Sequence, residues 1–149
     1  ADLLDIAPQL ASAGNPNIFI AARDKGAVDR AWLEMSGLRS IQPAAEGPAC
    51  VFVFAPTADG AYSRMFAPEH GVNEDPATGS ATGPLAAFML RNGLTPRDKG
   101  SRFISEQGSK MGRRSILHVL IHGENGQDGI EVGGYVTPLV DATMTLGDR

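Results

Sequence analysis

The chain has 149 residues, 42% hydrophobic and 20% charged, with a formal net charge of −4, a composition suited to one globular domain with its own core. The acidic balance argues against nucleic acid as the main partner, because phosphate binding needs a basic face. No apolar run is long enough for a membrane span, Ala1-Asp2-Leu3-Leu4-Asp5 is acidic where a secretion signal would be basic, and the lone Cys50 excludes an internal disulfide and a Cys-rich metal site, so the expected compartment is the cytoplasm.

Residues 1–16 end in the turn signal Gly14-Asn15-Pro16. Asn17 to Ala22 reads as a buried strand. Residues 26–36 read as a helix with Val28, Trp32, Leu33 and Met35 on its apolar face and Gly37 as its stop. Residues 40–48 read as a loop. Cys50 to Ala55 is a strand ended by Pro56, and beyond the Asp59-Gly60 turn, 61–67 is its hairpin partner. Residues 79–92 form a helix in which Leu85 to Leu90 leave no polar stripe, which makes it a core helix ended by Asn92-Gly93. Strands are expected at 101–106, 115–122, 129–133 and 135–146. Turns at Gln107-Gly108, Asn125-Gly126 and Asp128-Gly129 separate them, and Gly133-Gly134 is a bend or bulge.

About seven strands and two helices with mostly short connections predict an α+β domain over residues 1–149. Its antiparallel, barrel-like sheet would wrap around the central helix.

Asn73-Glu74-Asp75-Pro76-Ala77-Thr78-Gly79-Ser80-Ala81 sits directly ahead of that helix. An open first turn makes an anion site, because unpaired N–H groups and the positive dipole end converge there. Gly79 and Ser80 leave room for a close ligand, and Asp75 would lie near the bound anion. The segment also has a structural use: Thr78 can N-cap the helix, Pro76 stiffens the entry and Asp75 favours the positive end. The glycines fit neither nucleotide-loop pattern.

Arg64-Met65-Phe66-Ala67-Pro68, followed by Glu74 to Ala81, resembles the signature of the phenazine-biosynthesis PhzF-like proteins. Glu106-Gln107-Gly108 and Met111-Gly112-Arg113 resemble a second block of that family. The resemblance implies the diaminopimelate-epimerase-like fold: two half-domains, each a sheet around a helix, with the site in the cleft between them. It implies a cofactor-independent isomerase that moves a proton on a small carboxylate-bearing substrate, with no metal, nucleotide or pyridoxal. By the same resemblance Asp75 is the candidate catalytic residue, and Thr78, Gly79 and Ser80 are the candidate substrate-binding residues. The likeness covers only the family's C-terminal half. The catalytic glutamate and a Gly-His segment belong to the N-terminal half, so Glu69, Glu74 and Glu106 are not promoted to that role, and this chain alone is expected to be inactive.

Cys50 reads as a core cysteine rather than a racemase thiol, and Trp32 and Phe88 as core. His70 lies at the cleft rim or in an exposed loop. His118 and His122 share one strand face, too far apart for a metal pair. Lys110, Arg113 and Arg114 are an anion-holding cluster or a solvated turn. The competing function is a non-catalytic binding or assembly module that pairs with itself, as a homodimer, or with a separate N-terminal half.

Overall fold

The computed structural model describes residues 2–41, 48–95, 102–123, 126 and 128–147. Residues 42–47 of the expected loop, Ser101 of the expected strand 101–106 and Asn125 of the Asn125-Gly126 turn lie outside the described residues.

Strand β1 (Gln9–Ser12), which the sequence did not signal, pairs antiparallel with β2 (Pro16–Ala21) across the Gly14 turn. Helices α1 (Lys25–Arg30) and α2 (Met35–Ile41) connect β2 to β3 (Cys50–Thr57). The single helix expected over 26–36 is therefore two, and Gly37 lies inside the second rather than stopping the first. Asp24 caps α1 by accepting from the Ala27 N–H at 2.8 Å, and Glu34 caps α2 by accepting from the Gly37 N–H at 2.7 Å. Between the two helices the chain leaves α1 at the extended Ala31, and Trp32 is 77% exposed rather than in the core.

β3 continues through Pro56 as the antiparallel partner of β4 (Gly60–Ala67). Proline is tolerated there because the ladder to β2 stops at Phe54, so no neighbour needs its N–H. Gly60 has φ +146°, and any side chain there would collide with the Ile104 carbonyl. A 3-10 turn, Pro68–His70, leads into β5 (Val72–Asp75) and then α3 (Gly79–Arg91). β6 (Arg102–Gln107), β7 (Ser115–His122) and β8 (Gly129–Gly133) complete the sheet.

The sheet order is β1-β2-β3-β4-β6-β7-β8, with β5 also beside β4. The sheet is mixed rather than antiparallel as expected: β2–β3 and β4–β6 are parallel and the other pairs antiparallel. Each parallel pair spans a connection that contains helix, as a crossover requires. α3 touches β1 and β2 at one end of the sheet and β7 and β8 at the other, so the sheet curls around it. The expected α+β architecture of a curled, barrel-like sheet around a buried helix is therefore present.

Strand alternation divides the core in two. Cys50, Phe52 and Phe54 face α3, where Leu85 and Met89 are fully buried. Phe88, buried as expected, meets Phe54 edge-to-face at 5.5 Å and Phe19 at 6.0 Å. Val51, Val53 and Ala55 face outward under α1 and α2. Asn92 and Gly93 end α3 as expected, with Gly93 at φ +66° and the Leu94 N–H on the Met89 carbonyl at 2.8 Å.

Gly133 ends β8 in regular register with His118, so neither the bend nor the bulge expected at Gly133-Gly134 forms there, and the strand expected at 135–146 does not form either. Those residues have no secondary structure. Tyr135, Val136, Leu139, Val140, Met144 and Leu146 are each at least 80% exposed. An extended segment needs a neighbouring ladder to become a strand, and among the described residues it has none.

Leu85→Ala should lower the unfolding free energy by about 2–5 kcal/mol in a denaturant titration. Trp32→Ala, for all its lost aromatic surface, should change it by less than about 0.5 kcal/mol.

Candidate active site

One edge of β4 is shared by two strands. β6 pairs with Gly60 to Ser63 and β5 with Met65 to Ala67. Gln107, the last residue of β6, stands opposite Ser63, and Asp75, the last of β5, stands opposite Met65. α3 starts after Pro76, Ala77 and Thr78, above the gap between these two strand ends.

Gln107 closes the gap from inside. It is fully buried. Its Nε2 donates to the Asp75 carbonyl at 2.6 Å and to Thr78 Oγ1 at 2.9 Å, and its Oε1 accepts from the Thr78 N–H at 3.2 Å. Gly108, at φ +76°, lets the chain turn tightly there, and a Cβ would lie 2.8 Å from the Pro76 carbonyl oxygen.

Thr78 does not cap α3 through its side chain, contrary to one expected use. Its hydroxyl donates instead to Asp75 Oδ2 at 2.6 Å. Among the described residues the other carboxylate oxygen has only a long contact, 3.5 Å, from the Ala77 N–H. The α3 start is thus left bare: among the described residues no acceptor meets the Gly79 or Ser80 N–H. Both residues are exposed, and a Cβ built on Gly79 meets nothing within 4 Å. Asp75, Thr78, Gly79 and Ser80 therefore converge, with the positive helix end and a carboxylate side by side.

On the Ser80 side this start opens into a cavity of ≈ 320 Å³ whose walls include Asn17, Cys50, His70, Asp75 and Thr78. On the Gly79 side lies a cleft of ≈ 590 Å³ that includes Arg114 and Tyr135. A hollow of ≈ 610 Å³ across β6–β8 contains none of the motif residues. We take the motif cavity as the site, because chemistry follows the converging polar groups rather than volume.

The neighbouring charges are spoken for. Arg64, 9% exposed, makes a two-pronged bond to Glu74 at 2.9 and 2.8 Å. Its Nη1 donates to the carbonyls of Val28, Asp29 and Ala31. These bonds, with Glu74 foremost, hold the guanidinium above its ordinary pKa against the opposing effect of burial. Glu74 is therefore an anchor on the outer face, and Asp75, next along the strand, faces inward. Cys50 is a core cysteine, as expected, but it also lines the cavity. Burial first, and then the Asp75 carboxylate, push its thiol up, which keeps it neutral.

His70 lies at the cavity rim and is exposed, 3.4 Å from the Pro48 carbonyl. His118 stacks edge-on against Tyr135, and His122 contacts Glu131 at 2.9 Å. Among the described residues no three His, Cys, Asp or Glu side chains converge as a metal site would require. Of the basic cluster, Arg114 pairs with Glu106 at 3.1 Å, while Lys110 and Arg113 are exposed.

Sequence reasoning named Gln107 within a block but gave it no role, and passed over Asn17 and the cavity position of Cys50. A signal for Gln107 was present: Phe103, Ser105 and Gln107 share the inward parity of β6, and a polar residue at an inward position needs a buried partner.

The Arg114 bond, then the Ser109 hydroxyl and Lys25, hold the Glu106 carboxyl below the usual range against burial. A depressed pKa adds stability that is complete above the unfolded value, about 4.3, and is lost as pH falls through the folded value. Arg114 is largely exposed, so the pair contributes below about 1 kcal/mol. Urea midpoints measured from pH 6 down to about pH 2 should show a shallower acid limb in Glu106→Gln than in the parent.

The sequence model of the family described as "Phenazine biosynthesis-like protein" matches residues 2–142. The chain is 42% identical over 85 residues to the trans-2,3-dihydro-3-hydroxyanthranilate isomerase of Pseudomonas chlororaphis, covering 56% of this chain and 30% of that one. It is 28% identical over 149 residues to an uncharacterized isomerase of Salmonella typhimurium, covering 97% of this chain and 50% of that one. Among solved structures, a PhzF-family phenazine biosynthesis protein of Bacillus anthracis superposes with TM-score 0.69 at 17% identity, covering 88% of this chain and 46% of that one. A predicted epimerase of Pseudomonas aeruginosa superposes with TM-score 0.61 at 28% identity, covering 92% and 48%. The chain thus spans half or less of the length of these relatives. It belongs to the phenazine biosynthesis-like, PhzC-PhzF, family of proteins, whose curated relatives are named isomerases.

Proposed function

We propose that the chain is the C-terminal half of a PhzF-like isomerase that moves a proton on a small carboxylate-bearing substrate without a cofactor. The observation that carries this reading is the bare start of α3 beside Asp75. The substrate carboxylate would accept from the Gly79 and Ser80 N–H groups and from the Ser80 hydroxyl, at the positive end of the helix. Asp75, held by Thr78, would orient the polar group next to the reacting carbon. The base is a glutamate of the N-terminal half, facing this cavity across the cleft. A relative named for an anthranilate, itself a carboxylate, supports the substrate class.

Gly79→Pro tests the anion site directly. Proline fits the first helical position and removes only the N–H that would hold the carboxylate. In the complete two-domain protein it should raise KM about tenfold or more with the melting temperature kept. Asp75→Asn, which still accepts from Thr78, should lower kcat by about 10²-fold or more and stability by less than about 1 kcal/mol. Loss of stability without loss of turnover would reduce the segment to a helix entry. The 149-residue chain alone should show no turnover until an N-terminal half is added.

A second reading is an assembly module that pairs with itself or with a separate N-terminal half. The observation favouring it is the exposed apolar run from Tyr135 to Leu146, since exposed apolar surface of this kind marks association. It predicts a melting temperature that rises with protein concentration, and a Leu139→Lys, Val140→Lys variant that sediments as a smaller species than the parent.

A further inference from the structure

Helices α1 and α2 cover the outer face of β2, β3 and β4, and among the described residues that cluster takes in nothing from β6, β7 or β8. The outer face of those three strands instead holds the hollow of ≈ 610 Å³. Phe103, Val119 and Ile130 point from them into the core around α3, so their neighbours along each strand point outward. The ladders set these outward residues in rows across the strands. Arg102, Leu120 and Glu131 form one row, and Ile104, His118 and Gly133 form the next.

Both rows are unlike at their two ends. The first runs from a cation through a half-buried leucine to an anion, its ends about 10 Å apart. Arg102 has no ion-pair partner among the described residues, and Glu131 meets His122 at 2.9 Å. The second row runs from a half-buried isoleucine to a glycine. Neither backbone nor packing within the described residues requires that glycine. Its φ lies outside the left-handed region, and a Cβ built on it meets nothing within 4 Å.

From these two rows we infer that the outer face of β6–β8 docks a second copy of this chain, sheet on sheet, about a two-fold axis parallel to β7. Such an axis sets each row against itself and exchanges its ends. Arg102 then meets the partner's Glu131, and Ile104 enters the open space above the partner's Gly133. Leu120 and His118 lie on the axis and meet their own counterparts. An axis across the strands would set arginine on arginine and glutamate on glutamate, so the charges select the first. Aligned sheets pack about 10 Å apart, within reach of these side chains. The inference is independent of the anion site and uses no part of the Tyr135–Leu146 run.

The test is sedimentation velocity over a wide range of concentration, on the 149-residue chain and on the complete two-domain protein. Both parents should dimerise. Arg102→Glu and Glu131→Arg should each weaken the dimer about tenfold or more, because each sets like charges together at two symmetry-related places. The double variant carrying both should return to within about threefold of the parent. Gly133→Leu fills the space Ile104 needs without touching its own chain, and should weaken the dimer about tenfold as well. Far-UV circular dichroism checks that each variant keeps the fold. The inference is overturned if the parent chain stays monomeric, if the single reversals leave its dimer intact, or if the double reversal fails to recover it. A dimer lost in Leu139→Lys, Val140→Lys but kept in the reversals moves the contact to the C-terminal run and overturns it too. So does a complete protein whose association ignores all of these variants, since its own N-terminal half then covers the face.

Discussion

The buried amide of Gln107 is the constraint on which the site depends. It reaches across 32 residues of sequence to the Asp75 carbonyl and across 29 to the N–H and hydroxyl of Thr78. With its partners present the amide is satisfied. Without them each orphaned buried group would cost about 1–3 kcal/mol. That penalty makes the entry to α3 a fixed shape rather than a loop, and a fixed entry is what sends the Thr78 hydroxyl to Asp75 instead of to the helix. The bare helix start is therefore a consequence of a core hydrogen-bond network.

The same economy of faces runs through β4. Its inward residues, Ala61, Met65 and Ala67, pack on α3, while its outward residues, Tyr62, Arg64 and Phe66, hold the outer helices. Tyr62 donates to Asp29 at 2.7 Å, and burial above all, then that bond, pushes its phenol up to about 12. Arg64 ties the end of α1 to β5 through Glu74. The Arg64 charge is thus committed to structure on the outer face. On the inner face the start of α3 presents backbone N–H groups and the positive helix end, which do not titrate.

Much of this was legible in the sequence, for reasons that can be located. The Leu85 to Leu90 run has no polar face, so α3 had to be enclosed. Cys50 to Ala55 is apolar on both parities, so β3 had to be covered on both sides. The Asp59-Gly60 turn and the Asn92-Gly93 stop are local chemistry. What was hidden depends on distant partners. Arg64 receives the last carbonyls of α1 from more than 30 residues away, so the split between α1 and α2 has no local signature beyond its caps. The parallel pairs follow from where the helices cross, not from strand pattern. Residues 135–146 carry a strand's pattern without a strand's neighbour. At the candidate site, the open start of α3 was readable from Gly79, Ser80 and the buried helix, but the diversion of Thr78 was not, because it is decided by Gln107.

β5 is only four residues long, and its last two are both acidic. Glu74 and Asp75 differ by one methylene and one step, yet one is a structural anchor and the other faces the cavity. What separates them is parity alone. A residue gained or lost in the Pro68–His70 turn would be absorbed before the strand begins. One gained or lost inside the strand would turn the longer acid into the cavity and leave Arg64 facing the shorter one, with net charge and composition almost unaltered. The chain thus stores the address of its site carboxylate as an odd or even count from a neighbouring ion pair. A protein with nearly the same composition could carry both acids and lack the site entirely.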